Sequence, residues 1–248
     1  MNMLPNIVRY SPTYRSALAV LLILGSHLGA VQNHQSLKSV RFDAGFLLPV
    51  FELKQGHSTK KYVLLGREAS GKDAGTFCAG GGSRDRGEKP WDTVAREFLE
   101  EMISPWSQQQ MLDYIDPRLD NTKSIMVFSM GKSTIVSYIT HFAYATIKDI
   151  KENFYTRRKA SFLWRYKEMD QMGMVAWNDL RDAILKSSSN VGVQVRALVW
   201  DPKKNRDESQ MITLRPVQVA MLRPYFCDEK YNTRSYTPGL EPKVRFYS

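Results

Sequence analysis

The sequence predicts an α/β chain of the α+β sandwich kind, a mixed β-sheet flanked by helices. Three observations predict it. Runs rich in β-formers recur at residues 40–54, 61–67, 124–131, 133–144 and 191–200. A segment between them carries Val94, Ala95, Phe98 and Met102 on one helical stripe. The 248 residues, 43% hydrophobic and 24% charged, suit one soluble core without a second full domain.

The elements follow in order. Residues 1–30 have a basic start (Arg9, Arg15), a short apolar run at 17–24 and small residues after it. They read equally as a secretory leader and as an N-terminal helix packed on the core, so export and a cytoplasmic location stand level. The apolar run is too short to span a bilayer, and no stable membrane anchor is expected. Residues 31–226 are expected to form the main domain. In it, 40–54 and 61–67 make a hairpin joined by a longer polar loop at 55–60. A short strand at 76–79 delivers the chain to Gly80, Gly81 and Gly82, read as a loop that allows close backbone approach.

Pro90 suits a helix start, because its missing N–H would be unpaired there anyway. A short helix at 105–114, a loop through Asp116, Pro117 and Asp120, and the two strands turning at Gly131 and Lys132 come next. Residues 149–167 interleave aromatic and basic side chains. They read as an amphipathic element with its aromatics in the core, or as a surface where bases stack and cations hold phosphates. A strand ending at Trp177 enters a helix at 178–186, and a strand at 191–200 follows. Residues 201–210 are charged and expected to be a loop, 214–225 a helix, and 227–248 a peripheral tail.

A net charge of +10 favours polyanionic partners: phosphorylated nucleotide-type small molecules, RNA, or acidic surfaces. Cys78 and Cys227 build no disulfide framework, and the four histidines show no ligand spacing.

The chemistry concentrates at residues 80–104. Glu97 meets Glu100 and Glu101 at i+3 and i+4, which costs an isolated helix roughly 0.2–0.5 kcal/mol per pair. Partly buried, each close pair costs about 4 kcal/mol at an effective dielectric near 20. A hard divalent cation removes that penalty, and a solvated acidic face avoids it.

The spacing of the stretch decides between them. From Gly82, five residues lead to Glu88, seven more to Arg96, then Glu97-Phe98-Leu99-Glu100-Glu101. This resembles the box of the Nudix hydrolase family, G-x5-E-x7-R-E-U-x-E-E-x-G-U, with U bulky and apolar. Chance gives such a match with odds on the order of one in 10⁵. Ile103 stands in place of the family Gly, and Ser104 in place of its last apolar residue.

The resemblance implies a Nudix-like mixed sheet and metal-dependent hydrolysis of the diphosphate linkage in a nucleoside diphosphate joined to another moiety. It implies Mg²⁺ or Mn²⁺ held by Glu97 and Glu101, with Glu100 and the Gly82 region helping. Arg96 and Glu88 would orient those ligands. Glu100 or Glu168 would take the proton from water, with Asp170 in reserve. Arg67, Arg84, Trp164 and Tyr166 are the candidate substrate contacts. The alternative is a nucleotide- or RNA-binding module of the same fold without turnover.

Overall fold

The computed structural model describes residues 41–102, 106–115, 122–130, 132–160, 168–201, 203–204, 206–228 and 245–247. The readings of residues 1–30, of Ile103, Ser104 and Pro105, of the loop at 116–120, of Gly131, of Trp164 and Tyr166, and of most of the tail lie outside them.

The elements alternate as the sequence predicts. Strands β1 (Ala44–Gln55), β2 (Ser58–Glu68), β3 (Phe77–Cys78) and β4 (Gly80–Ser83) precede helices α1 (Pro90–Glu101) and α2 (Gln108–Ile115). Strands β5 (Thr122–Met130) and β6 (Ser133–Phe142), helix α3 (Tyr144–Ala160), strand β7 (Met169–Ala176) and helix α4 (Trp177–Lys186) follow. Strands β8 (Gln194–Asp201) and β9 (Arg206–Thr213), helix α5 (Pro216–Asp228) and strand β10 (Arg245–Tyr247) complete the described chain. The sheet runs β10-β5-β6-β1-β2-β7-β8-β9, with β3 added to β2 and β4 to β1. The β1–β6 pair is parallel and the other ladders are antiparallel, so the sheet is mixed. Among the described residues no helix is long and apolar enough to cross a membrane.

Both faces of the sheet are covered, because side chains alternate along a strand. On β1, a Cβ at Gly45 would meet Val94 Cγ2 of α1 at 2.7 Å, whereas the next residue, Phe46, packs with Met221 of α5. The largest buried cluster joins Leu48, Val63, Leu65, Val175 and Val199 of the sheet to Leu180 and Ile184 of α4 and Leu222 and Phe226 of α5.

Three expectations need correction. The β1–β2 connection is a tight turn, since Gln55 pairs with Ser58 and Gly56 takes φ 62°. The polar residues after it are exposed strand positions. Residues 206–210 belong to β9, which pairs with β8 along its whole length. Its charged residues point into water at the end of the strand order, where an edge strand needs no apolar alternation.

The glycines, read as a loop, are strand β4, pairing from Ala44↔Ser83 to Leu47↔Gly80. A Cβ at Gly81 would lie 2.3 Å from the Gly45 carbonyl and 2.6 Å from Phe46 Cα, so the two backbones approach as only glycine allows. In residues 149–167, the described part is helix α3. Its Phe154 is fully buried, and the Tyr155 hydroxyl accepts the Met172 N–H at 3.0 Å.

Candidate active site

The site is built where α1 lies on β1 and β4. Pro90 opens α1, and the Lys89 N–H donates to Asp92 Oδ2 at 3.1 Å, satisfying one backbone donor at the helix start. Val94, Ala95, Phe98 and Met102 are completely buried, as their stripe predicts. Glu97 and Glu101, one turn apart, are only 9% and 5% exposed. The same packing that buries the apolar stripe therefore carries two carboxylates out of water.

They meet the glycine strand. Glu101 Oε2 accepts the Gly81 N–H at 2.6 Å. A Cβ at Gly82 would stand 2.5 Å from Glu97 Oε2, so the missing side chain is the space Glu97 uses. Replacing Gly81 by Ala is expected to cost about 1–3 kcal/mol, the usual range for overpacking, because backbone and not a flexible side chain must yield. Urea unfolding of the variant checks this.

Arg96 is the hub. Its Nε donates to Glu88 Oε1 at 2.7 Å, its Nη2 to Glu88 Oε2 at 3.0 Å and to the Ser83 carbonyl at 2.9 Å, and its Nη1 to Glu97 Oε1 at 2.8 Å. Glu100 lies 3.6 Å from Nη1. Glu88 also accepts the Thr93 hydroxyl at 2.6 Å and the Asp85 N–H at 2.9 Å. Burial alone would raise the Glu88 carboxyl, but these donors, Arg96 first, bring it down to about 2.

A second strand end closes on the site. The β2–β7 register shifts between Arg67 and Glu68, so Asp170 is left between the Gln171 and Met169 pairings. Such a bulge re-aims the side chains around it. Asp170 takes both Arg67 donors, at 2.6 and 2.8 Å. Glu68 and Glu168 are brought side by side, with the Ala69 N–H donating to the Glu168 carbonyl at 2.7 Å.

Five carboxylates from three elements and the residue before β7 thus act on one another. Burial holds Glu97 up, against Arg96, with Glu100 and Glu168 adding repulsion. Burial pushes Glu101 well up, against its Gly81 bond, with Glu68, Glu97 and Glu168 adding to it. Glu168 is raised by burial and then by Glu68 and Glu100.

Among the described residues no three His, Cys, Asp or Glu side chains are gathered closely enough to hold a metal ion as they stand. The hydrogen bonds give the reason: Glu101 is turned to the Gly81 N–H, and Glu97 to Arg96. The donor set still fits a hard divalent cation, being all oxygen, partly buried and mutually repelling.

Of the other candidates, Arg84 is exposed, donates to the Glu88 carbonyl at 2.9 Å and lies over the Phe42 ring at 4.7 Å. Arg67 is engaged by Asp170 and not by the glutamates of α1. Sequence reasoning missed Glu68 and its partner Arg215, which donates to Glu68 Oε1 at 2.7 Å. No spacing rule joins residues so far apart, and only the sheet register brings them together.

No family model and no curated protein matches the chain. Among solved structures it is similar to a C. elegans Ap4A hydrolase in a binary complex, at 17% identity over 42% of this chain and 67% of that one, TM-score 0.29. It is also similar to the Nudix hydrolase RenU of M. smegmatis, at 19% over 41% and 61%, TM-score 0.28. A MutT/nudix family protein of Enterococcus faecalis is similar at 13% over 82% and 69%, TM-score 0.40. The matched regions span about two thirds of each of those chains. Likenesses at this level assign neither activity nor substrate.

Proposed function

We propose that this chain hydrolyses the diphosphate linkage of a nucleoside diphosphate joined to another moiety, with Mg²⁺ or Mn²⁺ as cofactor. The observation that carries the reading is the burial of Glu97 and Glu101 against a strand of glycines, with Arg96 and Glu88 locked behind them. A solvated acidic helix face would leave these carboxylates in water. Here two of them are desolvated, at a cost the fold has to recover from a ligand.

Glu97 and Glu101 would hold the cation, with Glu100 and the backbone around Gly82 beside them. When bound, the cation neutralises the diphosphate charge and makes water more acidic. The protein's own groups supply the rest. Arg96 fixes Glu97, and Glu88 ties the loop before α1 to that arginine. Glu168 or Glu100 takes a proton as water adds to phosphorus and the bridging P–O bond breaks, which leaves two phosphate-bearing products. Glu168 suits the task, since burial and its neighbours lift it towards neutrality. The net charge of +10 favours encounter with a polyphosphate or an RNA 5′ end.

The test is a metal-dependent screen with ADP-ribose, a dinucleoside polyphosphate and 5′-triphosphorylated RNA. Release of mononucleotide or pyrophosphate is expected with Mg²⁺ or Mn²⁺. EDTA should abolish it and added Mn²⁺ restore it. Binding without release under every metal condition would replace the hydrolase with a nucleotide- or RNA-binding module.

A further inference from the structure

Glu68 ends β2 at the bulge, and its side chain is only 13% exposed. It accepts Arg215 Nη1 at 2.7 Å and the Cys78 thiol at 3.3 Å. Arg215 precedes α5, and its Nε donates to Asp73 Oδ2 at 2.9 Å. Its backbone N–H donates to the Phe77 carbonyl at 2.9 Å. One turn on, the buried Gln218 accepts the Ala79 N–H at 2.8 Å. The start of α5 is therefore pinned to β3 by backbone and side chain, and β3 runs directly into the glycines that face Glu97 and Glu101.

This arrangement is more than a strut. A strut is made more cheaply by apolar residues, because a buried Arg–Glu pair is often no better for stability than well-packed side chains of similar volume. Here the ion pair sits where its carboxylate neighbours Glu168 through the backbone and Glu101 through Cys78.

We propose that Glu68 is a further cation-binding carboxylate of the candidate site and that Arg215 is its positioning residue, holding it in place from outside the box. The inference rests on the hydrolase reading above and extends its donor set to a strand that the Gly-Glu-Arg spacing does not include. Arg215 supplies a counter-charge while the cation is absent, and its second bond to Asp73 fixes the direction from which it does so. The charge of Glu68 already reaches Glu101 and Glu168, both of which it helps to hold up.

The experiment measures Mn²⁺ affinity by electron paramagnetic resonance, melting temperature and turnover on the full chain. It compares wild type with Glu68→Gln, Arg215→Gln and the double variant. Arg215→Gln should melt lower than wild type, because it strands a buried carboxylate. The double variant should recover melting temperature, since no unpaired charge remains, yet bind Mn²⁺ about 10- to 100-fold more weakly. Glu68→Gln, which keeps acceptors for Arg215 and Cys78, should show the same loss of affinity with an unchanged fold. Wild-type Mn²⁺ affinity and turnover in the double variant would overturn the proposal and leave the pair purely structural. Absence of Mn²⁺ binding by the wild-type chain would overturn the hydrolase reading itself, a separate and distinguishable result.

Discussion

Glu101→Gln is expected to lower turnover at least ~10²-fold, the lower end of what a positioned acid–base group contributes, and to raise the melting temperature at neutral pH. The two effects come from one placement. Glutamine keeps the acceptor for the Gly81 N–H and the volume under the sheet. It removes a charge that burial and three neighbouring carboxylates oppose. A variant that is more stable and nearly inactive is the signature of a residue kept for chemistry.

The same placement fixes the sign of the pH dependence in EDTA. Glu97, Glu101 and Glu168 are raised above the ordinary 4.5, so their ionised forms cost stability above the folded values. That cost shrinks as pH falls and is gone below about 4.5. Glu88 works the other way. Its folded value near 2 gives stability that is complete above 4.5 and lost as pH falls through about 2. Thermal unfolding in EDTA should therefore show stability rising from neutrality towards about pH 5 and falling again below about pH 4. Mn²⁺ should flatten the upper limb. A melting temperature unchanged in Glu101→Gln, with turnover intact, would end the assignment.

Much of this was legible in the sequence, for reasons that can be named. Helix α1 announces itself because Pro90 and the stripe of Val94, Ala95, Phe98 and Met102 are local signals, and the structure begins the helix at Pro90 and buries all four. Strands β2, β6 and β8 carry runs of β-formers that bury their apolar residues. Strand β4 was not legible, because three successive glycines offer no side-chain period, and its strand character exists only through β1 beside it. Strand β9 was obscured by its charges, which an edge position tolerates.

In the site, Glu88, Arg96, Glu97, Glu100 and Glu101 share one stretch, so spacing alone could find them. Glu168 needed the resemblance, because nothing local distinguishes it from Asp170. The structure separates the two, giving Asp170 to Arg67 and Glu168 to the acidic group. Glu68 and Arg215, 147 residues apart, needed the fold.

Arg96→Ala should have the largest effect on stability, about 3–5 kcal/mol, the range for breaking a buried pair by removing one partner. Four groups depend on this guanidinium through hydrogen bonds or close approach: Glu88, Glu97, Glu100 and the Ser83 carbonyl. Alanine leaves Glu88 with only the Thr93 hydroxyl and the Asp85 N–H. Arg96→Lys is expected to fall between, since an ammonium keeps the charge and loses the planar fork that serves Glu88 and Glu97 together. The pH dependence separates this cause from simple loss of packing. Without Arg96 the Glu88 carboxyl no longer holds its value near 2, so the deficit against wild type should narrow as pH falls from about 4.5 towards 2. Urea unfolding of both proteins across that range measures it, and a deficit independent of pH would assign Arg96 to packing alone. Because Arg96 also aims Glu97, turnover should be lost in Arg96→Ala under conditions where the variant is still fully folded. Loss in step with unfolding alone would deny it that part.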